Sequence, residues 1–229
     1  MHIYMIKKDR NLSHAEKNFL IQLCDKKKYE KINLLKKTED FEASLIGHVL
    51  IKYMISQYTL FNMRNITLTE GALGKPIYLE STISFNVSHS NSIISGAIDN
   101  QDIGIDIEYM EEIDYISISN LIFTESEKSS LISSTKPKDY FYHLWTSKES
   151  YLKAIGTGLF LEMYNVTLDE SNIKEKNEAT LYYCHHLGVI PKYKLCVCTK
   201  KKYINKTVIE MNVQDFIQSL LIENRRRCL

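Results

Sequence analysis

The spacing of apolar positions switches between two periods along the chain, and the switches mark its elements. Residues 2–6 alternate and predict a first strand. Ser13-x-x-Glu16 has the form of a capping box, in which hydroxyl and carboxylate each accept from an amide of the first turn. It opens a helix carrying Phe19, Leu20 and Leu23, and Lys26-Lys27-Lys28 ends it with the charge sign that suits a helix C-terminus. Thr38-Glu39-Asp40 starts a second helix. There Phe41, Leu45 and Val49 adjoin a stripe of Ile46, Leu50 and Met54, so two faces are apolar and the helix is buried. After the loop containing Gly74-Lys75-Pro76 the period drops to two. Ile83, Phe85 and Val87 alternate with Ser84, Asn86 and Ser88; an apolar run from Ile93 to Ile98 and the stretch Ile103 to Glu108 follow, separated by polar turns. This turn spacing predicts a three-strand meander.

Thr124-x-x-Glu127 is a second capping box, and Pro137 sits where a helix can start. A helix is expected over Asp139 to Ile155, stopped by Gly156-Thr157-Gly158. Four β-rich runs follow, from Tyr164 to Leu168, Thr180 to Cys184, Tyr193 to Thr199 and Thr207 to Met211. A short helix from about Val213 to Ile222 and the basic tail Arg225-Arg226-Arg227 come last. Helices then meander, followed by helices then strands, predict an α+β protein of two related halves, 1–109 and 110–229.

Composition narrows the class. With 44% apolar and 25% charged residues over 229 positions, wholesale disorder is excluded. A net charge of +1 argues against general binding of nucleic acid or acidic membrane. Cys24, Cys184, Cys196, Cys198 and Cys228 form no even framework, and Cys196-x-Cys198 has neither redox nor zinc spacing. The cysteines read as reduced, and Cys196 and Cys198, if on a strand, as buried apolar residues with no special role. With no leader-like or membrane-spanning run, a cytoplasmic location is expected.

Candidate chemistry concentrates in three stretches. Along a strand from Ile103, the isoleucines at 103, 105 and 107 enter the core while Gly104, Asp106 and Glu108 share the opposite face. Two carboxylates on one face repel, and a divalent cation would resolve this; an all-oxygen set without His or Cys favours Mg²⁺ or Mn²⁺. The bland alternative is a solvated sheet face. On the later helix Trp145, Glu149 and Lys153 recur every four residues and share one face. The alternative there is an exposed Glu149–Lys153 pair, contributing ~0.3–0.5 kcal/mol. Ser88 and His89, with Lys75 on a nearby loop, suit phosphate. A Ser-His hydrolase dyad is disfavoured, because neighbours on a strand point apart and no G-x-S-x-G elbow is present.

Together these stretches resemble the 4′-phosphopantetheinyl transferases of the larger, surfactin-synthetase-activating type. The matching segments are Gly74-Lys75-Pro76, Phe85-Asn86-Val87-Ser88-His89-Ser90, Ile103-Gly104-Ile105-Asp106-Ile107-Glu108 and Trp145-Thr146-Ser147-Lys148-Glu149-Ser150-Tyr151-Leu152-Lys153-Ala154, with Phe123-Thr124-x-x-Glu127 between them. Their joint order over residues 74–158 carries the specificity. The resemblance implies two pseudo-symmetric α+β halves with the active site in the cleft between them. It implies transfer of phosphopantetheine from coenzyme A to a serine of an apo acyl or peptidyl carrier protein, releasing 3′,5′-ADP. Fatty-acid, polyketide and nonribosomal peptide carriers all offer such a serine.

By the same resemblance Asp106, Glu108 and Glu149 hold Mg²⁺, with Mn²⁺ an alternative. Lys153 stabilises or protonates the leaving group and contacts the coenzyme, and Lys75, Ser88 and His89 hold its phosphates. The general base is Glu149, Glu127 or a metal-bound water, and Glu127 also completes a capping box. Where the family often has an Arg, this chain has Ala43, and Lys31, Lys36 or Lys37 are the candidate substitutes. Two fused halves fit a monomer. The competing functions are a non-catalytic module binding coenzyme A or a carrier protein on the same fold, and a metal-dependent phosphohydrolase. The latter lacks a second carboxylate cluster.

Overall fold

A computed structural model describes residues 1–71, 74–157, 163–169, 172–175, 181–188, 190–202 and 204–226. Gly158, Thr180, Arg227 and Cys228 lie outside them. The chain packs as two units, one of residues 1–100 with 205–229 and the other of residues 101–204. Both mix helix and sheet, as expected for an α+β protein. The units differ from the expected halves 1–109 and 110–229: the strand after residue 102 belongs to the second unit, and the C-terminal segment returns to the first.

The first unit holds β1 (His2–Lys7), α1 (His14–Leu23), α2 (Lys26–Ile32), α3 (Thr38–Thr59), β2 (Thr69–Glu70), β3 (Pro76–Ile77), β4 (Ser84–Ser90) and β5 (Ile93–Asp99). The last two elements of the chain, β11 (Thr207–Asn212) and α7 (Val213–Arg226), complete it. Its four-stranded sheet has the order β11-β1-β5-β4, with β1 parallel to β11 and antiparallel to β5. Ser13 and Glu16 make both capping-box bonds at the start of α1. The two apolar stripes of α3 are buried: Leu45, Ile46, Val49, Leu50 and Met54 have no exposed surface.

Two expectations fail here. Lys26-Lys27-Lys28 opens α2 instead of closing α1, because Cys24 and Asp25 are extended and break the helix between them. The meander stops at two strands. β4 and β5 form a hairpin, but β1 occupies the other edge of β5, so the next strand is directed to another sheet.

That strand is β6 (Ile103–Tyr109), the edge of the second unit's sheet. This unit continues with α4 (Tyr115–Ile122), α5 (Glu125–Ser133), α6 (Pro137–Ile155), β7 (Val166–Asp169), β8 (Asn172–Glu175), β9 (Tyr182–His186) and β10 (Tyr193–Thr199). The sheet order is β6-β10-β9-β8-β7, with antiparallel neighbours. Pro137 stands in the first turn of α6, and Gly156 caps its end at φ +79°, a conformation that favours glycine. Cys184, Cys196 and Cys198 are buried, as expected of structural thiols. Among the described residues no helix is long and apolar enough to cross a membrane.

Candidate active site

In the second unit α6 lies against β6 and β10. Gly104 makes the close approach possible. A Cβ built on it would fall onto the carbonyl oxygen of Ser150 and the backbone nitrogen of Ala154. The space that a side chain at position 104 would take is therefore occupied by helix backbone, and β6 is covered on both faces. Asp106 is only 2% exposed, which removes the solvated-face alternative. Glu108, nearer the strand end, is half-buried.

The same packing brings the α6 face to the strand. Lys153 Nζ donates to Asp106 Oδ1 at 2.6 Å. Burial pulls the Lys153 ammonium down, but the fields of Asp106, Glu149 and Glu108 outweigh it and hold its pKa above the usual lysine range. Glu149 is shifted upward, first by burial and also by Asp106, with Lys153 offsetting part of this. Asp106, Glu149 and Lys153 thus form one interacting cluster, with Glu108 at its margin. An exposed Glu149–Lys153 pair is not what forms. Trp145, on the same face, stacks on Phe141 with ring centroids 5.9 Å apart. Among the described residues, no three acidic, His or Cys side chains converge closely enough to make a ready metal cage.

Glu127 sits in a different environment. It makes the capping box with Thr124, and its Oε2 also accepts from Lys148 Nζ at 2.7 Å. Lys148 is fully buried, and its ammonium donates as well to the carbonyls of Ile122 and Met163. Burial lowers the Lys148 pKa, opposed by Glu127. The sequence reading gave Lys148 no role. Its position in the run Phe141, Leu144, Lys148, Tyr151 and Leu152 was the available signal, since a lysine on an apolar stripe needs a buried partner.

The phosphate-binding candidates lie in the first unit. A cavity of about 520 Å³ there is lined by Ser88 and His89 of β4, by Gly74 and Pro76 on either side of Lys75, and by Ala43, Ser44 and Gly47 of α3. Lys27 and Lys28 of α2 line it too, which sequence reading missed by placing them at a helix end. Of the lysines proposed to replace the family Arg at Ala43, Lys31 is paired with Glu70, and none of Lys31, Lys36 and Lys37 lines the cavity; Lys27 and Lys28, which were not proposed, do.

Comparison with known proteins agrees with this division. Residues 11–101 match the family described as 4′-phosphopantetheinyl transferase, N-terminal, and residues 102–198 match the 4′-phosphopantetheinyl transferase superfamily. The 4′-phosphopantetheinyl transferase ffp of Bacillus subtilis is 35% identical over 209 residues, covering 88% of this chain and 93% of that protein. The 4′-phosphopantetheinyl transferase Sfp of Bacillus subtilis (strain 168) is 34% identical, with coverages of 86% and 92%. The 4′-phosphopantetheinyl transferase gsp of Aneurinibacillus migulanus is 32% identical, with coverages of 90% and 91%.

Proposed function

From the membership of this chain in the 4′-phosphopantetheinyl transferase family, we propose that it moves the 4′-phosphopantetheine group of coenzyme A to a serine of an apo acyl or peptidyl carrier protein. The serine Oγ forms a bond to the phosphorus that bears pantetheine, the pyrophosphate P–O bond breaks, and 3′,5′-ADP leaves. The observation that carries this reading is the cluster of buried Asp106 with half-buried Lys153 and Glu149, a concentration of charge suited to a pyrophosphate under cleavage.

The donor set fits Mg²⁺ or Mn²⁺ in kind and charge. Asp106, Glu108 and Glu149 offer only hard oxygens, and one ammonium against three carboxylates leaves an excess of negative charge. These three residues would hold the ion, which when bound offsets charge on the pyrophosphate. Lys153, held protonated by its acidic neighbours, acts as a charge stabiliser at the leaving phosphate more readily than as a proton donor. Glu149 takes the serine proton, since Asp106 is already bonded to Lys153 and Glu127 to Lys148. Glu127 is engaged by Lys148 and by the helix cap, which favours a structural role over that of base. Lys75, Ser88 and His89 bind the coenzyme phosphates together with Lys27 and Lys28 of the cavity wall.

The test is incubation of the protein with coenzyme A, Mg²⁺ and a panel of apo carriers, read by mass spectrometry. A gain of one phosphopantetheine on the carrier serine is expected, and a chelator should abolish it. Carrier unchanged across the panel, with coenzyme A bound but intact, would instead establish a binding module. Full transfer in metal-free buffer would remove the metal assignment alone.

A further inference from the structure

The side chain of Asp25 also lines the cavity. α2 begins with three lysines and has no acid in its first turn, an arrangement that opposes the helix dipole. Asp25 is the N-cap of this helix, yet its carboxylate makes no capping bond to it. It reaches outward instead. Lys52 Nζ donates to Oδ1 at 3.1 Å, His48 Nε2 lies 3.1 Å from Oδ2, and the Leu68 N–H donates to Oδ2 at 3.3 Å. His48 and Lys52 are each 5% exposed, so the anchor points are buried in α3. Burial pushes the Asp25 carboxyl up, but His48 and Lys52 outweigh this and hold it below the usual range, keeping it charged at neutral pH.

Three walls of the cavity meet at this one carboxylate. They are α2 with Lys27 and Lys28, α3 with Ala43 and Ser44, and the segment from Leu68 to Glu70. A helix start loaded with like charges needs an outside anchor to stay formed, and nothing in its own first turn supplies one. We propose that Asp25 is a positioning residue for coenzyme binding: tied to α3 and to Leu68, it holds the start of α2 so that Lys27 and Lys28 face the anionic nucleotide end of the coenzyme. The inference rests on the reading of this cavity as the coenzyme site. Asp25 touches no reacting atom and acts through the two lysines, so its loss changes affinity and leaves the chemical step alone.

The experiment is a double-mutant cycle in steady-state kinetics on the full-length chain. Asp25→Ala is expected to raise the coenzyme A KM by ~10-fold or more, with kcat and the carrier KM within about twofold of wild type. Lys27→Ala/Lys28→Ala should raise the same KM in the wild-type background, and should add less than about threefold in the Asp25→Ala background, because coupled residues are not additive. If Asp25→Ala melts below the assay temperature, Asp25→Asn, which keeps the shape and removes the charge, is read by the same criteria. Additive effects, an unchanged coenzyme KM, or a loss confined to kcat would overturn the role of Asp25. If Lys27→Ala/Lys28→Ala leaves the wild-type KM unchanged, the coenzyme reading of the cavity fails first, and the proposal with it.

Discussion

Glu127→Gln separates a structural carboxylate from a catalytic one. In the folded protein Lys148 Nζ has three acceptors: Glu127 Oε2 at 2.7 Å, Met163 O at 3.0 Å and Ile122 O at 3.2 Å. Lys148 is fully buried and Glu127 is 5% exposed, so water cannot replace the lost charge. Removing one partner of a buried pair costs ~3–5 kcal/mol. Glutamine keeps an acceptor oxygen and can still complete the capping box, and the two carbonyls remain, so the low end, ~3 kcal/mol, applies. For a chain of this length 1 kcal/mol moves Tm by about 2–4 °C, giving an expected fall of ~6–12 °C. Adding Lys148→Met, which removes the unpaired ammonium, should recover at least half of it. Turnover per folded molecule, assayed below both melting points with coenzyme A and an apo carrier, should fall by less than ~10-fold, against the ~10²–10⁴-fold expected when a general base is lost. An unchanged Tm with a ~10³-fold loss of rate would make Glu127 the base and refute the argument for Glu149.

Four further outcomes follow from the same geometry. Gly104→Ala should lower Tm by ~6–12 °C, the equivalent of ~3 kcal/mol, because its methyl meets backbone of α6 that cannot rotate away; a shift under ~2 °C would mean the helix is free to move. Lys153→Ala should cut kcat by ~10²-fold or more while His89→Ala mainly raises the coenzyme A KM, and the same kinetic signature in both variants would undo that division of roles. Glu149→Gln should be inactive yet more stable at neutral pH: the folded pKa is raised, so wild-type stability is lost as pH climbs through and above the ordinary glutamate range, and the Tm advantage of the variant should vanish below it. Arg10 holds Glu16 down to about 2, so this pair contributes stability above the usual glutamate pKa and loses it as pH falls from there to about 2; Arg10→Ala should flatten the acid limb of a Tm-versus-pH curve, and an unchanged limb would show the pair to be energetically idle.

Much of the candidate site's local geometry was legible because its signals are local. Period-two alternation is enough to put Asp106 and Glu108 on one strand face, and fourfold spacing puts Glu149 and Lys153 on one helix face. Both capping boxes, at Ser13 and Thr124, form as read, since a box involves only residues three apart. What escaped was decided by partners distant in the chain. Turn spacing shows that a third strand follows β5 but not that β1 already holds the edge it would need, so β6 was assigned to the wrong sheet. α4 was missed because Tyr115-Ile116-Ser117-Ile118-Ser119 alternates apolar and polar residues, which mimics a strand. The lysine run at 26–28 obeys the charge rule for a helix C-terminus and breaks it as a helix start. Only the contacts of Asp25 with His48, Lys52 and Leu68 show how the unfavourable start is held. A local rule broken at a cavity wall, with a buried anchor beside it, is the pattern expected where binding rather than stability has chosen the residues. Gly104 shows the limit from the other side. A glycine in a strand announces that a side chain is not tolerated, and whether the vacated space holds a ligand or a helix depends on what packs there, which here is the backbone of α6.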